Sequence, residues 1–143
     1  MFNIQTFTQS QIEGLTTNNG FKTALISITT PGSRPVRLHA GVFGHTLRLI
    51  FDDATPTDMP TVFGSGPKIA LFNPTQAAQV LEFVAGIKDD IETLAIHCYA
   101  GESRSTAIAY AIQTIYTNNA ECPKHWSKHN THVFKMLSRA QTI

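Results

Sequence analysis

The stretch between residues 94 and 118 restricts the possible folds of this chain most strongly. A short apolar run at 94–98 ends in His97-Cys98, and apolar residues then recur at three- and four-residue spacing after Ser105. The first pattern is typical of a buried strand, and the second is typical of a helix with one buried face. The few residues between them must therefore form a tight loop that joins the end of a core strand to the start of a helix.

Further strand and helix signals alternate along the chain. Alternating apolar and polar residues predict a strand at 1–5, and apolar and β-branched runs predict strands at 23–28 and 46–51. Thr8 with Gln11, and Asn73 with Gln76, have the spacing of capping boxes and predict helix starts. Alternating strands and helices indicate an α/β fold with a central, largely parallel sheet flanked by helices.

Two other parts of the chain carry weaker signals. The stretch 54–73 contains several prolines and glycines, so we expect an irregular loop there. The tail at 123–139 is predicted as one helix, whose expected core contacts are Trp126, Val133, Phe134 and Leu137. We find no linker or repeat, and a chain of 143 residues fits one domain spanning 1–143.

Composition and charge narrow the function classes. The formal net charge is only +1, which argues against a broad surface for nucleic acid or for an anionic membrane. The longest apolar run is too short to cross a bilayer. Two cysteines in unlike contexts, with no signal peptide at the start of the sequence, predict free thiols and a cytoplasmic location.

The loop after the 94–98 strand contains the residues expected to carry the chemistry. Successive backbone N–H groups between Cys98 and Arg104, together with the N-terminus of the following helix, can form a cavity for phosphate. The same field stabilises a thiolate, so Cys98 is the expected nucleophile. Arg104 can hold two phosphoryl oxygens at once, and Gly101 permits positive φ and close approach of the backbone to a ligand. The expected phosphate-loop residues are Tyr99, Ala100, Gly101, Glu102, Ser103 and Arg104.

Two neighbours of the loop have expected supporting roles. Ser105 is placed to donate a hydrogen bond to the Cys98 sulfur and to help it leave, and it can also cap the helix. His97 alternates away from Cys98 along the strand, so we expect it to order the loop through its ring rather than to act as a base.

These residues resemble the signature of the protein tyrosine phosphatase superfamily. His97-Cys98, an interval of five residues and Arg104-Ser105 match that signature. Ala100-Gly101 and Ser103 are most similar to the dual-specificity branch, and the likeness, which covers roughly 23–118, is strongest to small phosphatases of bacteria and their phages. The resemblance implies hydrolysis of phosphotyrosine, and of phosphoserine or phosphothreonine, through a cysteinyl-phosphate intermediate without a metal or cofactor.

The resemblance also implies an aspartic acid that protonates the leaving oxygen. Asp52, Asp53 and Asp58 are the candidates, and Asp53 is favoured because the family's acid commonly follows an apolar strand and one intervening residue. Asp52 and Asp53 cannot both face the phosphate site if the strand continues that far.

Glu102 departs from the resemblance, because an apolar, aromatic or glycine residue is more usual at that position. Its carboxylate is expected to repel highly phosphorylated inositol rings and to favour phosphoproteins or simple aryl phosphates.

Several alternatives stay open at this point. The chain could bind phosphoproteins without turnover, act on a non-protein phosphate such as a phosphoinositide or an RNA 5′ end, or transfer sulfur or reduce arsenate. A metal site is a further, disfavoured possibility, because its candidate ligands have the surroundings of a solvated surface: Cys122, His125, His129 and His132.

Overall fold

The structure is a computed structural model that describes residues 2–17, 20–58 and 69–141 of the chain; the side chains of Phe21 and Asp58 are not described. Four strands form one sheet: β1 (Asn3–Thr8), β2 (Thr23–Thr29), β3 (His45–Ile50) and β4 (Thr93–Cys98). The four α-helices are α1 (Gln9–Gly14), α2 (Pro74–Ile87), α3 (Arg104–Thr117) and α4 (Thr131–Ala140). Short 3₁₀ helices cover Gly20–Lys22, Pro56–Asp58 and Lys124–Trp126.

The sheet has the strand order β1-β4-β2-β3, and every neighbouring pair is parallel. β2 and β4 lie in the centre and are buried along almost their whole length. Central parallel strands are covered on both faces, so they consist of continuous apolar runs rather than alternating ones. The predicted α/β fold with a parallel sheet flanked by helices is confirmed.

Different helices pack against the two faces of the sheet. Ile26, Leu94 and Ile96 face the main core, which they share with apolar residues of α2, α3 and α4. Their neighbours Leu25 and Ala95 face the smaller core under Ile12 of α1. Because side chains alternate along a strand, Cys98 shares the main-core face and His97 lies on the α1 face.

The helix starts predicted at Thr8 and Asn73 are confirmed. In each case the side chain accepts from the backbone N–H three residues later, and the glutamine at that position accepts the cap residue's own N–H, which completes a capping box. Proline at the first position of α2 is compatible with its start, since that N–H has no partner inside a helix.

The single tail helix predicted for 123–139 is wrong. The chain forms a 3₁₀ turn at Lys124–Trp126, and α4 begins only at Thr131. Asn130 caps α4 through its side chain, which accepts from Val133 N at 3.1 Å. Its own backbone N–H donates to Ser103 O at 3.0 Å and so leaves the helical pattern. Trp126, Val133 and Leu137 are buried as expected, and Phe134 is half-buried.

Within the described ranges, no helix has the length and apolar character needed to cross a membrane.

Candidate active site

The loop between β4 and α3 lies where parallel strands end, at the edge of the sheet that commonly holds ligand sites. Within this loop, Gly101 has a left-handed backbone conformation, with φ of 69°. A Cβ on Gly101 would lie only 3.0 Å from the carbonyl C and O of Phe7, at the end of β1. Tyr99 O also accepts from Gln9 N at 3.2 Å. The loop is therefore held against β1, and glycine is required for both its backbone conformation and its packing.

The backbone N–H groups of this loop lack hydrogen-bond acceptors among the described residues. From Tyr99 to Thr106, none donates to an acceptor in the described part of the protein, and the first such bond is Ala107 N to Ser103 O. Ser103 is the N-cap of α3, but its side chain forms no capping hydrogen bond. Unpaired N–H groups at a helix N-terminus attract anions, because each is a donor and the helix dipole is positive there.

Cys98 is the last residue of β4, directly before this loop. The residue is 2% exposed, and Sγ is 3.2 Å from the hydroxyl oxygen of Ser105, which is fully buried. A hydroxyl at this distance can donate to a thiolate or accept from a thiol. The predicted pairing of Cys98 and Ser105 is therefore present in the structure, while their chemical roles stay predictions.

Arg104 is 6% exposed, and other elements hold its guanidinium. Nη1 donates to Thr30 Oγ1 at 3.0 Å and to Phe51 O at 2.8 Å, beyond the ends of β2 and β3. Nε and Nη2 have no acceptor in the described ranges. Every fully buried side-chain nitrogen in these ranges has a hydrogen-bond partner, so a nitrogen without one is not fully buried. Those two nitrogens therefore reach solvent. They can donate together to an oxyanion, in the fork geometry that arginine offers to phosphate.

Asp53 lies beside the loop although it is far from it in sequence. Its Oδ1 accepts from Ser103 Oγ at 2.8 Å and from Asn130 Nδ2 at 2.9 Å. Asn130 Nδ2 also donates to Ala54 O at 3.0 Å. With both donors on Oδ1, the other carboxyl oxygen of Asp53 has no partner in the described structure and is the one that can carry a proton.

Asp52 has a different, structural set of contacts. Its Oδ2 accepts from Ala70 N at 2.8 Å, and its own N–H donates to Ala70 O at 2.7 Å. This carboxylate therefore holds the chain as it returns toward α2. Asp58 ends the 3₁₀ helix Pro56–Asp58, and its side chain lies outside the described part.

His97 is fully buried on the α1 face of the sheet. Nε2 lies 2.6 Å from Ser27 Oγ, and Nδ1 lies 3.3 Å from Cys98 O. Burial lowers the pKa of His97 below its ordinary value of 6.5, only partly opposed by the hydrogen bond with the Cys98 carbonyl. A neutral ring hydrogen-bonded to the backbone of Cys98 is compatible with the predicted ordering role.

Three residues of the loop are exposed to solvent. Tyr99 is 73% exposed, and Glu102 is exposed as well. The backbone carbonyl of Glu102 accepts from Thr106 Oγ1 at 2.7 Å, which fixes the loop's last residues to the first turn of α3. Ala100 is also exposed. Of the phosphate-loop residues named from the sequence, those from Tyr99 to Ser103 lie between β4 and α3, and Arg104 is the first residue of α3.

The candidate metal ligands in the tail do not form a cluster. His132 Nε2 lies 2.9 Å from Phe72 O, and His129 Nδ1 lies 3.0 Å from Trp126 O and 4.0 Å from Cys122 Sγ. Across the described residues, no group of three or more His, Cys, Asp or Glu side chains has a geometry suited to a metal ion. Positions 125, 129 and 132 do not share one helical face, because α4 begins only after Asn130.

The sequence reasoning missed Thr30 and Asn130, which contact the two charged candidates Arg104 and Asp53. Thr30 follows a strand in a turn and carries no local signal of this contact. Asn130 does have a local signal, since an Asn followed by Thr131-His132-Val133 is a plausible helix cap, but the continuous helical pattern drawn through the tail obscured it.

The fold recurs in solved structures of phosphatases. Tk-PTP in its active form superposes with a TM-score of 0.61 at 12% sequence identity, covering 97% of this chain and 93% of that one. A human DUSP28 variant gives 0.58 at 13% identity, covering 97% and 89%. PTPMT1 gives 0.54 at 15% identity, covering 98% and 90%.

The chain has the fold of the cysteine-dependent phosphatases. At identities of 12–15%, the likeness concerns architecture alone. No protein-family model matches the sequence, and no curated protein matches it significantly. The phosphatase fold nevertheless agrees with the family resemblance found in the loop sequence. It covers nearly the whole length of the chain, including β1 and α4, which lie outside the 23–118 range of the sequence resemblance.

Proposed function

We propose that this chain is a phosphatase that hydrolyses phosphate monoesters through a cysteinyl-phosphate intermediate, with tyrosine-phosphorylated proteins as its main substrates. One observation carries the proposal. The buried Cys98 lies at the start of a loop whose backbone N–H groups have no acceptor among the described residues, and this loop leads into Arg104, whose Nε and Nη2 are also available. These donors match the oxygens of a phosphoryl group, and such an arrangement otherwise leaves many backbone donors without partners.

In the first chemical step, the Cys98 thiolate attacks phosphorus and forms the S–P bond as the P–O bond to the leaving group breaks. Asp53 transfers a proton from its free carboxyl oxygen to the leaving oxygen, which departs as an alcohol or phenol. The loop N–H groups and Arg104 stabilise the charge on the three equatorial oxygens.

In the second step, water attacks phosphorus and the S–P bond breaks. Asp53, now ionised, takes a proton from this water, which restores its acid form and yields inorganic phosphate. Ser105, 3.2 Å from the sulfur, donates to the departing thiolate. Its contribution is expected in this step above all, because the negative charge on sulfur develops here.

The surface of the loop supports a phosphotyrosine substrate. The exposed Tyr99 ring can pack against an aryl ring, and an offset or edge-to-face aromatic pair contributes about 0.5–1.5 kcal/mol. Phosphoserine and phosphothreonine are proposed as further substrates, as in the dual-specificity branch. A thiolate nucleophile requires a reducing compartment, so we propose the cytoplasm as its location.

Turnover of para-nitrophenyl phosphate tests the proposal. Cys98→Ser should lower kcat on the order of 10⁴-fold or more, because a hydroxyl there is not ionised. Arg104→Lys should lower kcat/KM about 10²- to 10³-fold, because lysine cannot place two donors in one plane. Cys122→Ser, a change at the other free thiol, is the matched control and should retain activity. Tight binding of a phosphopeptide by the unmodified protein without turnover would instead identify a binding module.

A further inference from the structure

A shallow depression of about 230 Å³ borders the phosphate loop on one side. The residues that line it all have polar or charged side chains, and they are Glu102, Lys124, His125, Ser127 and Lys128. Glu102 belongs to the loop itself, and the other four residues belong to the 3₁₀ turn Lys124–Trp126 and the two residues after it. We call these four residues the basic rim.

The basic rim is fixed relative to the loop. Trp126, in its middle, is buried and donates from Nε1 to Thr6 Oγ1 at 3.3 Å. Just beyond it, Asn130 N donates to Ser103 O at 3.0 Å, which joins this segment to the residue next to Glu102. Because the backbone is anchored at both points, the rim side chains start from set positions and lose less freedom when they bind.

The charges of the rim are available to a ligand. Lys124 and Lys128 are both exposed, and neither side chain forms an ion pair or a hydrogen bond within the described residues. The two ammonium groups outnumber the single carboxylate of Glu102. A pocket wall with this excess of positive charge attracts anions, and Ser127 adds a hydroxyl donor.

We infer that the basic rim binds an anionic group on a residue flanking the phosphotyrosine, so that the enzyme prefers acidic phosphopeptides. This inference rests on the proposed phosphatase function. An extended peptide advances about 3.3–3.6 Å per residue, so a neighbouring residue can reach a depression that borders the loop. Glu102 disfavours a second anion next to the reacting phosphate, whereas the lysines favour one farther out, which suits a peptide better than a multiply phosphorylated inositol ring.

A set of phosphotyrosine peptides tests the inference. The peptides differ only at flanking positions, which carry glutamate, phosphothreonine, alanine or lysine, and kcat/KM is measured at low ionic strength because exposed charges are screened by salt. The unmodified protein should prefer the glutamate or phosphothreonine peptide to the alanine peptide. Lys124→Gln and Lys128→Gln should each reduce that ratio about two- to fivefold, the range of an exposed ion pair. Glu102→Gln should increase it.

Lys135→Gln is the matched control. Lys135 is an exposed lysine on α4 that does not line the depression, and its replacement changes the net charge equally. The peptide ratio should be unchanged in this variant. Preference for phosphothreonine alone, or for both acidic peptides, supports the inference and identifies the anion.

Three results would overturn the inference. One is an equal kcat/KM for acidic and neutral peptides, and another is an equal loss of preference in Lys135→Gln and the rim variants. A dependence on Lys124 and Lys128 seen with a phosphoinositide but with no peptide would also overturn it. Failure of the phosphatase proposal itself is distinguishable, because no aryl phosphate would then be hydrolysed.

Discussion

The side-chain amide of Asn130 donates to Oδ1 of Asp53 at 2.9 Å, a contact between residues 77 positions apart in the sequence. The same carboxyl oxygen accepts from Ser103 of the phosphate loop, and the backbone N–H of Asn130 donates to the carbonyl of Ser103. The proposed acid, the loop and the start of α4 are therefore joined in one hydrogen-bonded unit. This unit holds an otherwise exposed carboxyl group next to the site of the proposed reaction.

Removal of the Asn130 amide should impair proton transfer without unfolding α4. Asn130→Ser retains a side chain that caps a helix, but a serine is too short to keep both the cap and the contact with Asp53. We expect kcat for phenyl phosphate to fall about tenfold or more, because a catalytic group displaced by about 1 Å is much less effective. Circular dichroism should show an unchanged helix content. An unaltered kcat would show that Asn130 does not position the acid.

Asp53→Asn should mainly affect activity, whereas Asp52→Asn should mainly affect stability. Loss of the general acid costs about 10²- to 10⁴-fold and removes the basic limb of the pH–rate profile, and we expect this of Asp53→Asn. The effect should be greater for phenyl phosphate than for para-nitrophenyl phosphate, whose leaving group needs less protonation. Asp52→Asn should mainly lower the melting temperature, since Asp52 bonds to Ala70. If Asp52→Asn alone loses the basic limb, the acid has been assigned to the wrong residue.

Ser105→Ala should slow the second chemical step selectively. Its hydroxyl is 3.2 Å from the Cys98 sulfur, so it is expected to stabilise the thiolate as the S–P bond breaks. Rapid-mixing experiments should show a burst of released phenol followed by a slow steady state. A variant that slows the burst itself and leaves the later rate unchanged would place the role of Ser105 in the first step.

His97 should make the folded state less stable in acid. Burial lowers the pKa of His97 in the folded protein below 6.5, so the unfolded chain binds more protons in this range. Its contribution is complete above about pH 6.5 and declines as the pH falls below that value, by at most about 1.4 kcal/mol per pH unit. Urea unfolding at pH 7, 6 and 5 should show a shallower decline for His97→Gln. Equal slopes for the two proteins would contradict this assignment.

The sequence predicts the parts of the site that are local. The loop between Cys98 and Arg104 follows from an apolar run, a glycine and helical spacing within about 25 residues, and the register of side chains along β4 follows from alternation. These signals lie within a short stretch of sequence, so they can be recognised without knowledge of the rest of the fold. The predicted fold class depends on the same alternation of strand and helix patterns.

The contacts that complete the site are long-range, and local patterns do not encode them. β3 ends at Ile50, so strand alternation does not extend to Asp52 and Asp53. The contacts of Asp52 depend on the return of the chain at Ala70, and those of Asp53 depend on Ser103 and Asn130. The sequence predicts one helix for the tail, with Trp126, Val133, Phe134 and Leu137 as its core contacts. Its actual break at Asn130 depends on a hydrogen bond to Ser103, in another element.

Direct trapping of the phosphoenzyme tests the account most sharply. The protein is mixed with an aryl phosphate labelled in its phosphoryl group, quenched in acid within milliseconds and digested, and the labelled peptide is identified by mass spectrometry. We predict one labelled peptide, phosphorylated on Cys98, that accumulates further in Ser105→Ala and is absent in Cys98→Ser. Turnover that persists in Cys98→Ser, or a label on any other residue, would contradict the proposed mechanism.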